Sequence, residues 1–373
     1  MIELNTNTYA ALLRQDFYSF IQRCFLVLNP ETPFLGNWHL ELLAAHLEAC
    51  RTGRCRRLII NVPPRSLKSI TASVSFVAWL LGHQPSARII FASYGQDLAD
   101  RHARDCRIVM GDAFYESTFP ATRILTRNQS MSDFATTARG GRMATSVGGV
   151  LTGRGADFLI IDDPSKPDEA VSDTRRQSVN DWFDNTLLSR LDNKRTGVII
   201  IIMQRLHLDD LVGHVIQQGG WEVLSLPAIA EEDEVHRIVT PFGEYTHTRK
   251  AGEALHPQQE PLEMLQDTRQ QVGEYVFAGQ YQQSPVPLGG GLVKGHWFKT
   301  YVPRTSCRRT GRSSRVGTPP ARGRSSTASV SARPGWCTTS TSTCSTCCAS
   351  AWSTRSSSVP CSRRRASSSP QRS

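Results

Sequence analysis

Two short segments of the chain place residues that can bind phosphate and residues that can bind a metal ion at the ends of apolar runs. Residues 61–69 read NVPPRSLKS, and residues 158–164 read FLIIDDP. Each apolar run is typical of a buried strand in a parallel sheet. A lysine and a hydroxyl can hold phosphates, while adjacent carboxylates can hold Mg²⁺ and activate water. This combination predicts ATP hydrolysis.

The first segment lacks the glycines of the common phosphate loop, G-x-x-x-x-G-K-[ST]. Lys68 and Ser69 alone would be an ordinary helix start with a serine cap. The preceding strand and two prolines favour a phosphate site, because amides at a helix start bind anions. We expect Lys68 to neutralise β/γ-phosphate oxygens, Ser69 to bind Mg²⁺ and Arg65 to reach the γ-phosphate. The predicted nucleotide-binding residues of this loop are Pro64, Arg65, Ser66, Leu67, Lys68 and Ser69.

The second segment supplies the acids. Asp162 and Asp163 on their own could form a solvated turn or cap a helix, but the lysine loop upstream favours a catalytic interpretation. We expect Asp162 to bind Mg²⁺, directly or through water, and Asp163 to orient or deprotonate the attacking water. Gln204 follows a third apolar run and is placed to sense the γ-phosphate. Asp209 or Asp210, in the same loop, is interpreted as a helix cap.

Two arginines are candidates for contacts with phosphate or with a neighbouring subunit. Arg154 lies in the glycine-rich stretch 148–155, just before the acidic strand, and a plain surface arginine is the alternative interpretation. Arg205 comes directly after Gln204 and is a second candidate for coupling.

Strands that alternate with helices predict an α/β fold, with a mostly parallel central sheet flanked by helices. Sites in such sheets lie at the carboxyl ends of the strands, where these motifs fall. The predicted strands are 58–62, 88–93, 143–147, 158–161, 197–203 and 223–226, and the predicted helices are 9–29, 39–50, 66–81, 96–110, 169–191, 209–218 and 262–280.

The chain is predicted to contain four parts. Residues 1–50 form a helical segment, and 51–284 form the ATPase domain with an irregular excursion at 228–260. Residues 285–303 are a linker and the start of another apolar unit. Residues 304–373 contain 13 arginines, no acidic residue and 30 serines or threonines, so we expect a disordered tail.

The tail also accounts for the charge of the whole chain, which is +10. The first 303 residues hold 30 basic and 33 acidic residues, so the body gives no global charge signal for nucleic acid. We interpret the tail as a GC-rich gene read out of frame. A genuine arginine/serine tail that binds nucleic acid is the alternative.

The start of the chain lacks a basic segment followed by an apolar core, and no apolar run reaches the roughly 18 residues of a membrane span. We therefore expect a cytoplasmic protein that makes no membrane contact. Its scattered body cysteines are expected to stay reduced.

Taken in order, NWHLELLAAHLE, NVPPRSLKS, GGVLTGRGADFLIIDDP, IIIIMQRLHLDDL and AGQYQQSPVPLGGGLVKGHWFKTY resemble the large terminase subunit of tailed phages and prophages. The resemblance runs from about residue 30 to Val302. It implies a P-loop-type, ASCE-like ATPase that pumps double-stranded DNA into a prohead in a bacterial host. It also implies a homo-oligomeric ring at the portal and a small terminase subunit as partner.

The resemblance also assigns roles to individual residues. Arg65, Lys68 and Ser69 fall on the Walker A element, and Asp162 falls on Walker B with Asp163 as the hydrolytic acid. That acid is commonly Glu in the family, so Asp163 is a shorter variant. Gln204 falls on the coupling motif, where Thr is frequent. Trp38 and His39 match the segment near the adenine.

The family normally continues into an RNase-H-like nuclease whose metal ions are held by Asp and Glu. The tail has neither residue, so nuclease activity is predicted to be absent from this chain. Two other interpretations remain open: a helicase-like or other nucleic-acid-stimulated ATPase, and an inactive remnant of a decayed prophage.

Overall fold

The computed structural model describes residues 6–287, except 127–129, 131 and 152. The predicted tail and most of the predicted linker lie outside these residues. No helix within the described part of the chain is both long and apolar enough to cross a membrane.

A single seven-stranded sheet organises the structure. Its strands are β1 (Arg57–Asn61), β2 (Arg88–Ser93), β3 (Asp133–Ala135), β4 (Gly141–Ser146), β5 (Phe158–Asp162), β6 (Val198–Met203) and β7 (Glu222–Ser225). Their order across the sheet is β3-β4-β2-β5-β6-β1-β7. Neighbouring strands run parallel, apart from the antiparallel β3–β4 pair.

Helices cover both faces of this sheet, which confirms the predicted fold class. They are α1 (Thr6–Gln15), α2 (Phe17–Leu28), α3 (Trp38–Arg51), α4 (Phe76–His83, preceded by the π-helical Ile70–Ser75), α5 (Gln96–Gly111), α6 (Ala113–Thr118), α7 (Asp173–Trp182, followed by the π-helical Phe183–Leu187 and the 3-10 turn Leu188–Arg190), α8 (Leu211–Gln218), α9 (Leu262–Val272) and α10 (Glu274–Val276, followed by the π-helical Phe277–Tyr281).

The two faces of the sheet bury separate hydrophobic cores. In β6, Ile200 and Ile202 pack in the core that contains Phe20 and Trp79, whereas Ile199 and Ile201 pack in the core that contains α7 and α8 residues. Both faces of the central strands are buried, which explains why these strands read as continuous apolar runs. The amino-terminal helices α1–α3 share the first of these cores with the sheet.

Three predicted helices have different bounds in the structure. The predicted helix 9–29 is divided at Asp16, whose carboxylate accepts the Ser19 amide and caps α2. The helix predicted to start at residue 66 begins at Lys68, because Arg65 and Leu67 have left-handed backbone angles that a right-handed helix excludes. The helix predicted at 169 begins at Asp173.

The prediction of an irregular excursion at 228–260 was wrong. Two antiparallel strands, β8 (Glu234–Thr240) and β9 (Gly243–Arg249), form a hairpin there. The strands are largely polar and exposed on one face, so they lack the apolar run that marks the buried strands. Farther on, the predicted helix 262–280 breaks at Gly273, whose φ of 81° ends α9.

Candidate active site

Three adjacent strands bring the predicted motifs together. β6 lies between β1 and β5, with Asn61 in register with Met203 and Asp162 in register with Ile202. The segments that leave the carboxyl ends of these strands surround a cavity of about 470 Å³. It is lined by Pro64, Arg65, Leu67, Lys68, Ser69, Ile70, Asp163, Gln204 and Gln259.

The loop between β1 and the following helix adopts a conformation that glycine usually supplies. Arg65 has a φ of 61° and Leu67 has a φ of 55°. Leu67 directly precedes the lysine, where the common phosphate loop has its second glycine. A residue with a Cβ pays a conformational cost in this region, and such residues cluster at functional sites. The loop thus reaches a phosphate-loop shape without glycine.

Lys68 is held by the acid that comes directly after β5. Its Nζ lies 2.8 Å from Asp163 Oδ1, and the two side chains are 8% and 23% exposed. The same carboxylate oxygen accepts the backbone amide of Gln204 at 3.3 Å. Burial raises the pKa of Asp163, and the charge of Lys68 opposes that rise. The lysine, the acid and the third strand end therefore form one connected unit.

Asp162 lies deeper than Asp163 and is fully buried. Its Oδ2 accepts the hydroxyl of Ser73 at 2.6 Å and lies 3.7 Å from Nε2 of His102. Its Oδ1 has no hydrogen-bond partner among the described residues. Burial raises the pKa of Asp162, while Lys68 and the hydroxyls of Ser73 and Ser69 lower it.

Ser69 and Asp162 form the donor set that a phosphate-bound Mg²⁺ would use. Within the described residues, no three His, Cys, Asp or Glu side chains cluster as a metal site. Mg²⁺ in nucleotide sites takes only one or two protein ligands, because phosphates and waters supply the rest. A hydroxyl beside a carboxylate with one unpartnered oxygen fits that requirement.

The predicted adenine residues lie outside this cavity. Trp38 lines a separate cavity of about 580 Å³ and stacks on His236 and His247 of the β8–β9 hairpin, with ring centroids 4.9 and 4.3 Å away. His39 is buried, and its Nε2 lies 3.4 Å from the Ser66 carbonyl, behind the phosphate loop. Burial lowers the pKa of His39 to about 3. Ser66 is also buried, where its hydroxyl donates to the Pro63 carbonyl at 2.9 Å.

The two predicted coupling arginines are paired with acids outside the cavity lining. Arg154 is 56% exposed and contacts Asp133 at 2.6 Å. Arg205 donates from Nε to both carboxylate oxygens of Asp210, a buried residue. Asp210 also accepts the Gly213 amide and caps α8, which confirms the predicted cap.

Two residues at the site were not predicted from the sequence. Gln259 enters the cavity from the segment between the hairpin and α9, and His102 approaches Asp162 from α5. Neither residue belongs to a recognisable local pattern, because each reaches the site only through the packing of distant elements.

No protein-family model matches the sequence, and no curated protein was found to match it. The solved structures to which the chain is similar include the large terminase ATPase domain of Thermus phage P74-26, with 16% identity, 69% of this chain and 95% of that chain covered, and a TM-score of 0.40. The HK97 bacteriophage large terminase has 13% identity, coverage of 57% and 43%, and a TM-score of 0.38. A large terminase from a thermophilic bacteriophage, solved in complex with ADP, has 8% identity, coverage of 63% and 51%, and a TM-score of 0.38. The chain thus spans about half the length or less of the latter two proteins.

Proposed function

We propose that this protein is a Mg²⁺-dependent ATPase of the terminase type. The observation that carries the proposal is the meeting, in one cavity, of Lys68 at a helix start and Asp163 at a strand end, with Asp162 buried beside them. The strand β6 between the two motif-bearing strands agrees with an ASCE-like arrangement. The cavity is polar at its base and open enough to admit a polyphosphate.

In the proposed reaction, Lys68 binds the β/γ-phosphate oxygens of ATP and gives up its contact with Asp163. The freed carboxylate then takes a proton from water as the water oxygen attacks the γ-phosphorus and the bond to the bridging oxygen of ADP breaks. Ser69 and Asp162 would hold Mg²⁺, which supplies charge neutralisation at the phosphates when bound. Arg65 is positioned on the same loop to contact the γ-phosphate, and Gln204 to register its presence.

The coupling of hydrolysis to DNA movement rests on the sequence resemblance to terminases. On that basis we propose double-stranded DNA as the moved substrate, a homo-oligomeric ring at the portal of a prohead, and a small terminase subunit as partner. Arg154 and Arg205 remain candidates for contacts within that ring. The proposed setting is the cytoplasm of a bacterial host, and the proposed four-part organisation of the chain includes a tail without nuclease ligands.

The test is ATP hydrolysis by the full-length chain and its variants. Lys68→Ala is expected to lower kcat/KM at least about 100-fold, the typical effect of removing one charged stabilising group. Asp162→Ala is expected to abolish the response to added Mg²⁺. Lys194→Ala, which changes an exposed lysine outside the cavity, is the matched control. Absence of ATP binding, or hydrolysis that both site variants leave unchanged, contradicts the proposal.

A second assay separates packaging from other DNA-stimulated ATPases. Stimulation of hydrolysis by proheads or portal assemblies is expected for a packaging motor. Stimulation by free DNA alone favours the helicase-like alternative, and a soluble chain with no hydrolysis favours an inactive remnant.

A further inference from the structure

The turn 256–260, which precedes α9, contacts the back of the phosphate loop. Gln259 donates from its side-chain Nε2 to the Arg65 carbonyl at 3.0 Å, across 194 positions of sequence. Gln259 also lines the cavity that contains Lys68 and Asp163. A residue of the segment predicted to be irregular is therefore part of the wall of the site.

The contact falls on the part of the loop that most needs support. Arg65 and Leu67 both have left-handed backbone angles, and non-glycine residues keep such angles only where surrounding contacts hold them. The Arg65 residue is exposed. The hydrogen bond from the Gln259 amide fixes the Arg65 carbonyl from outside the loop.

The turn is itself rigidly placed. The His256 carbonyl accepts the amides of Gln259 at 3.0 Å and Glu260 at 2.8 Å. The His256 ring is buried and packs edge-to-face on His39, with centroids 5.6 Å apart. His39 in turn lies 3.4 Å from the Ser66 carbonyl. Two consecutive carbonyls of the loop, those of Arg65 and Ser66, are thus contacted by side chains that belong to one packed unit.

We propose that Gln259 is a positioning residue for nucleotide phosphates: its amide holds the left-handed Arg65 and thereby keeps the loop open beside Lys68 and Ser69. This inference rests on the proposed function, because it concerns the same site. The amide acts on the shape of the loop, so its effect falls on nucleotide affinity rather than on the bond-breaking step. The loop thereby obtains from a distant glutamine the support that glycine makes unnecessary in other phosphate loops.

The experiment uses the full-length chain with Gln259→Ala and Gln259→Glu, and Gln258→Ala as the matched control at an exposed neighbouring glutamine. Equilibrium binding of a fluorescent ADP and steady-state ATP hydrolysis are measured. Gln259→Ala is expected to raise the ADP Kd and the ATP KM about fivefold, the effect of one lost hydrogen bond, with kcat changed less than about twofold. Gln259→Glu keeps the shape but cannot donate and adds negative charge, so it is expected to weaken binding at least as much.

Hydrogen exchange in the nucleotide-free protein provides a second measurement. Amides of residues 64–69 are expected to exchange faster in Gln259→Ala than in Gln258→Ala. An unchanged Kd in both Gln259 variants, or a lowered melting temperature with an unchanged Kd, overturns the positioning role while the proposed function stands. If the unmodified protein binds no nucleotide, the proposed function itself is overturned, and with it the role assigned to Gln259.

Discussion

The ion pair between Lys68 and Asp163 offers the most direct test of how the site is assembled. With nitrogen and oxygen 2.8 Å apart and the lysine side chain only 8% exposed, each charge depends on the other for compensation. Replacing either partner leaves the second charge in a poorly solvated position. We therefore expect Lys68→Met and Asp163→Asn each to lower the free energy of unfolding, and their effects not to add.

The size of this effect can be worked out from the burial of the two side chains. Removal of one partner of a buried pair costs about 3–5 kcal/mol. Asp163 is 23% exposed, which places the expected cost near the lower end, at about 3 kcal/mol for each single variant. The double variant contains no uncompensated charge, so it should cost about 2 kcal/mol less than the two single effects added together.

Urea unfolding of the four proteins at neutral pH measures this coupling, and nucleotide binding measures its functional side. Asp163→Asn frees Lys68 from its partner, so ADP is expected to bind as tightly as before or more tightly, while hydrolysis falls by a factor of about 100 or more. Single effects on unfolding that add within about 0.5 kcal/mol would show that the pair is not formed in solution. Weaker ADP binding by Asp163→Asn would refute the idea that the acid and the phosphates compete for the lysine.

Two further predictions concern residues around the cavity. The folded-state pKa of His39, about 3, lies below its ordinary value of 6.5, so its neutral form stabilises the fold above pH 6.5 and that stability is lost as the pH falls. Between pH 7 and pH 5 the loss should be about 2 kcal/mol smaller in His39→Asn, as measured by urea unfolding, and an equal loss in both proteins contradicts the assignment. Arg205→Ala leaves the buried Asp210 unpaired and should cost about 3 kcal/mol of stability, while the folded fraction keeps its ATPase activity. Lost ATPase activity with unchanged stability would instead favour a role for Arg205 at a neighbouring subunit.

The parts of the fold that could be predicted are those in which local pattern and burial coincide. β2 (Arg88–Ser93) has the predicted bounds, and β5 and β6 differ from theirs by one residue at one end. Strands buried on both faces have few alternatives, because a run of β-branched apolar residues between turns fits little else. The hairpin β8–β9 was missed since its exposed face is polar, although its two β-branched segments flank Pro241-Phe242, which is a usable signal.

The candidate site divides in the same way. Lys68, Ser69, Asp162 and Asp163 could be named from the sequence because each stands near the end of a recognisable strand, and parallel strands bring their carboxyl ends to one edge. Trp38 could not be placed by the same reasoning. Its position depends on the packing of α3 against the hairpin, and there it stacks on two histidines away from the lysine cavity.

Residue type and spacing alone were enough to establish the class of fold, the strand ends that carry charge and the kind of chemistry these charges can perform. Apolar runs dictate burial, and the turns at the carboxyl ends of such strands expose the polar residues next in the chain. The three-dimensional packing was needed to show that Lys68 pairs with Asp163 and that Arg65 and Leu67 take left-handed angles. It was also needed to show that Gln259 contacts the loop. The two pairings join residues far apart in the chain, so their energies depend on distances that no local pattern encodes.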